Sequence, residues 1–270
     1  MINQKYSRNA NGGGSASNPN DAIQIEWQNK RAQIANCIDP DLSNLAQCAF
    51  GAFGAADAEP SVLVMGDSWS DHYVMMVDYM LKDANKAGYQ LTAGGNLPFL
   101  ANKNKVNEIN FAAIEAGQYD YVVMGNSLPR YYNEAFSNQL WETVDFIVAN
   151  EAAPVFIIGL YDRYRNHTQD HGDYDYTRCG FTIFSDCEFE DDTLTDNSEL
   201  AVREILQSIQ EKYPQTVIID LHDFLCTDGK CSALIDGYPL YLDTSGHITP
   251  YASHHLGEMY LETHINPLKN

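Results

Sequence analysis

"SVLVMGDSWSDHY", residues 61–73, decides the fold. Val62–Met65 is a short unbroken apolar run, the pattern of a strand covered on both faces. Gly66 permits a tight turn, and Met75, Met76 and Met80 then recur at helical spacing as core contacts. A buried strand that turns directly into a helix is the opening unit of an α/β sheet. In open sheets of this kind, ligands bind at the C-terminal ends of the strands. Ser68 stands at that end, and a serine hydroxyl becomes a nucleophile once a base takes its proton.

Working outward, four more apolar runs read as strands: Tyr89–Ala93, Tyr121–Met124, Val155–Gly159 and Val217–Asp220. Helical patterns lie near residues 71–87, 105–116, 133–150, 197–212 and 250–262. "TDNSE" supplies a start signal for the helix near 197, and Pro214 follows its end. Strands alternating with helices predict a parallel sheet with helices on both faces. The expected architecture is α/β, a three-layer α/β/α sandwich around a flavodoxin-like five-stranded parallel sheet. Residues 9–20, "NANGGGSASNPN", have no apolar periodicity, so 1–20 reads as a flexible linker or tail. Residues 21–59 read as an N-terminal helical extension with a local disulfide, Ile23, Ile25, Trp27 and Ile34 supplying its apolar contacts. Residues 60–270, which hold all these strands and Ser68, are the expected catalytic domain.

The charge narrows the partners. Sixteen Lys and Arg stand against 37 Asp and Glu, a net charge of −21. Such a surface repels phosphate backbones and anionic lipid headgroups, so nucleic acid is not an expected partner. No apolar run approaches the ~18 residues of a membrane helix. The six cysteines fall in close pairs, Cys37 with Cys48, Cys179 with Cys187 and Cys226 with Cys231. Sequence alone does not choose among the pairings, but closing short loops costs little entropy and favours these local ones. None has the spacing of a zinc site, and paired cysteines point to an oxidising compartment, periplasmic or extracellular. The N-terminus lacks a signal-peptide pattern, so the chain is expected to be the exported part of a longer protein.

If Ser68 is to react it needs a base. In "YLDTSGHITPYASHHLGEMY" (241–260), His247 sits just before Thr249-Pro250, which has the form of a helix N-cap and first turn. That loop follows the last strand and would rim the same sheet edge as Ser68. Asp243, four residues upstream, is near enough to hold the imidazole. Trp69 and His72 flank the serine and are candidate walls of a substrate pocket. His167 and His171 in "RNHTQDHGDYDY" (165–176) have a metal-compatible spacing. Gly172 and the polar composition read instead as a flexible loop, and no metal is expected.

"GDS" after the first strand and a terminal Asp-to-His loop before the last helix resemble the SGNH hydrolase superfamily. More narrowly, "FLCTDGKCSALIDGYPLYLDTSGHIT" (224–249) is similar to the SGNH domain fused to membrane acyltransferase-3 proteins, the polysaccharide O-acetyltransferases. There a Cys…Cys loop, an "LYxD" strand and "HLT/HLS" follow in this order. The resemblance implies a Ser68–His247 pair, usually with an Asp, and an oxyanion hole from the Ser68 N–H, a Gly and an Asn. "LTAGGNLPF" (91–99) offers Gly94 or Gly95, with Gly95 preferred, and "YVVMGNSLPRYY" (121–132) offers Asn126. Two features depart from the family. The usual Gly-x-Asn-Asp is absent, and Thr244 occupies the place of the Asp in Asp-x-x-His. Either the loop bulges to bring Asp243 in, or a backbone carbonyl orients His247. The polar insertion after the fourth strand would cover the site, making Tyr161 and Arg163 candidate substrate contacts. The resemblance implies an extracytoplasmic carbohydrate O-acyltransferase that works through an acyl-serine. It needs no cofactor of its own, with an acyl donor such as acetyl-CoA used by a membrane acyltransferase module. A stand-alone esterase and a non-catalytic carbohydrate-binding domain are the alternatives.

Overall fold

In the computed structural model, the described residues are 48–52, 60–117, 119–160, 179, 187–191, 196–243 and 245–269. The apolar run becomes strand β2, Pro60–Gly66, which has neighbours on both sides. Strand β1 is Ala49–Gly51, β3 Ala87–Thr92, β4 Tyr121–Met124, β5 Ala153–Ile158, β6 Glu188–Glu190 and β7 Val217–Asp220. The sheet order is β1-β3-β2-β4-β5-β7. From β3 to β7 every neighbour pair is parallel, with Leu63 opposite Tyr89 on one side and Val122 on the other. These five strands are the predicted flavodoxin-like sheet.

The sixth strand was not expected. Ala49–Gly51 lies in the segment read as a helical extension, yet it pairs antiparallel with β3, Phe50 opposite Gly88. Three residues are too few to show a period in sequence, and the pairing covers the otherwise open edge of β3. The Gly51 N–H then donates to Asp78 Oδ1 at 2.9 Å, tying this strand to a helix. The other features expected before residue 48, including the pairing of Cys37, lie outside the described residues, as do Tyr161, Arg163 and the 165–176 insertion.

Seven α-helices are described: α1 Ser68–His72, α2 Val74–Ala84, α3 Lys105–Ala116, α4 Phe136–Ala149, α5 Asn197–Lys212, α6 His222–Leu225 and α7 Pro250–Thr263. The first predicted helix is in fact two. Asp67 accepts the Trp69 N–H at 2.9 Å and so starts α1 at Ser68, three residues earlier than periodicity suggested. Tyr73, at φ −85° and ψ 0°, separates α1 from α2.

The period of two along each strand sends side chains into two cores. Val62, Val64, Val123 and Val155 pack with Val77 of α2 and Leu256 of α7. Leu63, Met65 and Val122 pack on the other face with Phe136 and Val144 of α4 and Leu206 of α5. Helix α7 lies on α2, where Ser253 Oγ accepts the Met76 N–H at 3.1 Å. A Cβ on Gly257 would come within 3.1 Å of Met76 O, so a glycine allows this close approach. That contact sets the loop before α7 against the helices that follow Gly66.

Beyond β7 the chain makes two small sheets. Strands β8 (Cys226–Thr227) and β9 (Lys230–Ser232) join β6, and β10 (Leu234–Ile235) pairs with β11 (Tyr238–Pro239). Disulfides join Cys179 to Cys187 and Cys226 to Cys231. Cys48 is also disulfide-bonded.

Candidate active site

Gly66 ends β2 with φ +136°, a conformation that L side chains rarely adopt. A Cβ there would lie 2.2 Å from Ser70 Oγ and 2.4 Å from Asn126 Oδ1. Only glycine leaves room for both groups. Asp67, next in the chain, is buried, and burial pushes its carboxyl up while the Trp69 N–H pulls it down. With Asp67 as cap, Ser68 becomes the first residue of α1.

The histidine arrives on a hairpin. Tyr241 bridges Ile248, and the Leu242 N–H donates to His247 O at 2.6 Å. Gly246 turns the loop with φ +81°. Asp243 Oδ1 accepts the N–H of Ser245 at 2.9 Å and that of His247 at 3.4 Å. Its Oδ2 lies 2.7 Å from His247 Nδ1. Of the two alternatives left open by the sequence, the Asp243 side chain is the one that meets His247 Nδ1.

This contact defines the tautomer. A carboxylate accepts, so Nδ1 carries the proton and Nε2 presents its lone pair. Ser68 Oγ lies 2.8 Å from that Nε2 and donates to it. Burial raises the Asp243 carboxyl, but the hydrogen bond from the His247 ring and the N–H groups of Ser245 and His247 outweigh it and hold Asp243 below its ordinary value. Serine, histidine and aspartate thus form one chain of hydrogen bonds at the C-terminal edge of the sheet. In that chain the imidazole can take a proton from the serine while the aspartate steadies the resulting cation.

Trp69 and His72 share α1 with Ser68. Both are buried, and both rings pack against His247, with centroids at 4.9 Å and 4.3 Å. The His72 ring is stacked, 16° from parallel, and its Nδ1 donates to Ile248 O at 2.8 Å. These side chains hold the imidazole in place.

Asn126 is buried beside β2, directly after β4 and Gly125. Its Oδ1 accepts from Ser70 Oγ at 3.3 Å, and its Nδ2 donates to Asn96 O at 3.4 Å. Gly95 lies one residue before Asn96, exposed and with φ +69° in a turn closed by the Asn96 N–H on Ala93 O. The sequence reading missed the asparagine network behind this turn. Asn96 Nδ2 donates to Asn107 Oδ1 at 2.8 Å, and Asn107 Nδ2 reaches the carbonyls of Leu97, Asn102 and Phe99. The density of asparagine in "NLPFLANKNKVNEIN" (96–110) was the available signal.

Among the described residues, the single cluster with metal-ligating groups is Asp191, Cys226 and Cys231, and its two sulfurs are joined to each other. A second polar cluster joins α5 to β7. Arg203 pairs with Asp220 and donates to Glu199 at 3.0 Å, and His222 Nδ1 lies 2.7 Å from Asp220 Oδ1. Burial raises Asp220, but His222 and Arg203 hold it far below the usual carboxylate range.

The family model described as "SGNH domain (fused to AT3 domains)" matches residues 36–262. A comparison with curated proteins gives no match. Among solved structures, one titled "Crystal Structure of TesA" is similar at 14% identity, over 77% of this chain and 98% of that chain, with a TM-score of 0.46. With the family match spanning most of its length, the chain belongs to the family of SGNH domains fused to AT3 domains.

Proposed function

We propose that this domain transfers an acyl group, in the leading reading acetyl, to a carbohydrate hydroxyl through an acyl-serine. The hydrogen-bonded chain Ser68–His247–Asp243 carries this reading. His247 Nε2 takes the Ser68 proton as Oγ attacks the acyl carbonyl, and Asp243 stabilises the imidazolium. The Ser68 and Gly95 N–H groups and the Asn126 amide are the assigned donors to the oxyanion. His247 returns the proton to the departing donor oxygen, and then deprotonates the incoming sugar hydroxyl. That hydroxyl takes the acyl group and restores Ser68.

The acceptor is a cell-surface polysaccharide and the location is extracytoplasmic. Two observations support this: the disulfides, which suit an oxidising compartment, and the family's description as fused to AT3 domains. The partner is then a membrane acyltransferase module that delivers the acyl group. Among the described residues no helix is long and apolar enough to cross a membrane.

Incubation with p-nitrophenyl acetate, followed by intact mass, tests the reading. An acetyl adduct that maps to Ser68 and is absent from Ser68→Ala is expected. Polysaccharide fragments added to the same reaction should capture the acetyl group faster than water does. Capture by water alone makes the domain an esterase. Failure of every acyl donor to give adduct or turnover would leave a non-catalytic carbohydrate-binding role.

A further inference from the structure

The hydroxyl of Ser70 takes no part in the proton transfers above, yet it sits at the centre of the site. Ser70 is fully buried on α1, two residues after Ser68. Its Oγ accepts the Gly125 N–H at 3.0 Å and directs its own hydrogen to Asn126 Oδ1 at 3.3 Å. On the other side of the amide, Asn96 O accepts from Asn126 Nδ2 at 3.4 Å.

We propose that Ser70 is a positioning residue which fixes the orientation of the Asn126 amide, so that its nitrogen faces the Gly95–Asn96 turn. The proposal rests on the acyl-transfer reading, in which Asn126 donates to the oxyanion. The two possible amide orientations are not equivalent here. Reversing the amide would set Oδ1 against the carbonyl of Asn96, acceptor facing acceptor. Ser70 and Asn96 therefore select the same orientation independently. Gly66 makes the arrangement possible, because any Cβ there would displace both Ser70 Oγ and Asn126 Oδ1.

The consequence is mechanical. One five-residue helix carries the nucleophile at its first position and the group that holds the oxyanion donor at its third. The distance between attacking oxygen and oxyanion donor is set by a single rigid piece. A donor oriented before the reaction has no reorganisation to undergo while charge develops, which is the condition for effective oxyanion stabilisation.

Steady-state kinetics with p-nitrophenyl acetate on the parent, Ser70→Ala, Asn126→Ala and the double variant test the coupling. Asn126→Ala is expected to lower kcat by about 10²–10³-fold. Ser70→Ala is expected to lower kcat by roughly tenfold at constant KM, as loss of donor alignment rather than of the donor itself. In the double variant the Ser70 change should then add nothing. Multiplicative losses, or a Ser70→Ala variant with unaltered kcat, would overturn the proposal.

A second measurement needs neither activity nor a folded variant. In the parent protein, NOEs from the Asn126 Hδ2 protons should be stronger to Asn96 and Leu97 than to Ser70 Hβ. The reverse pattern also overturns the assignment. A parent protein with the expected NOEs but no acyl-transfer or esterase turnover would sink the functional reading and leave the Ser70 orientation standing.

Discussion

At His247 a single proton position carries the chemistry, and Asp243 decides where that proton sits. Asp243→Asn would keep the side-chain shape but could present an N–H to Nδ1. The ring would then hold its proton on Nε2, facing Ser68, and could not act as base. The expected result is a fall in kcat on the order of 10⁴-fold with KM little changed, measured with an activated acetyl ester. Gly66 is the complementary case, a residue whose value lies in lacking a side chain. Gly66→Ala combines φ +136° with a Cβ 2.2 Å from Ser70 Oγ. Strain and overpacking together should cost about 3 kcal/mol, read as a lower urea midpoint. Of the residues at this scale, Ser68 and His247 were legible because their types are reactive and their surroundings mark strand and helix ends. Ser70 was not, since a buried serine in a helix carries no distinguishing local pattern.

The elements hold these residues by separate devices. Asp67 caps α1, Thr249 caps α7 by accepting the Ala252 N–H, and Asp196 caps α5. The pairing of α5 with β7 depends on charge: Arg203 grips Asp220, which also faces His222. Because the folded carboxyl sits far below its unfolded value, the folded state binds fewer protons than the unfolded state in mild acid. Its stabilisation is complete above the unfolded value near 4 and is lost as pH falls through the folded one. Asp220→Asn should therefore lower stability at neutral pH by about 2 kcal/mol, because Arg203 loses one of its two carboxylate partners and keeps Glu199. The gap from the parent should narrow as the pH of a chemical denaturation series is lowered from about 5 to 2. A gap that stayed constant would mean that shape, and not charge, joins these elements. Element types were readable because apolar period and caps act over a few residues. Strand β1 and the break at Tyr73 were not, as both depend on neighbours distant in sequence.

At the scale of the whole molecule, two cores on either side of one sheet support a chain with net charge −21. Like charges repel, so added salt should raise the melting temperature by screening, most steeply below about 0.15 M. The disulfides act on the unfolded chain instead. Cys226 and Cys231 are five residues apart, and removing that bridge by a double Cys→Ala change should cost about 2 kcal/mol in a denaturant titration. A short closed loop restricts few unfolded conformations, hence the modest figure. The sequence by itself determined the α/β class, the five parallel strands and the candidate pair Ser68 and His247, because periodicity, caps and residue chemistry are local. Only the tertiary structure decided that Asp243 reaches His247, that Trp69 and His72 brace the imidazole, and that Ala49–Gly51 closes the sheet edge. Those outcomes depend on how loops close between residues as far apart as 179 positions, Ser68 and His247. Packing of the intervening sheet and helices sets that separation, and no local pattern encodes it.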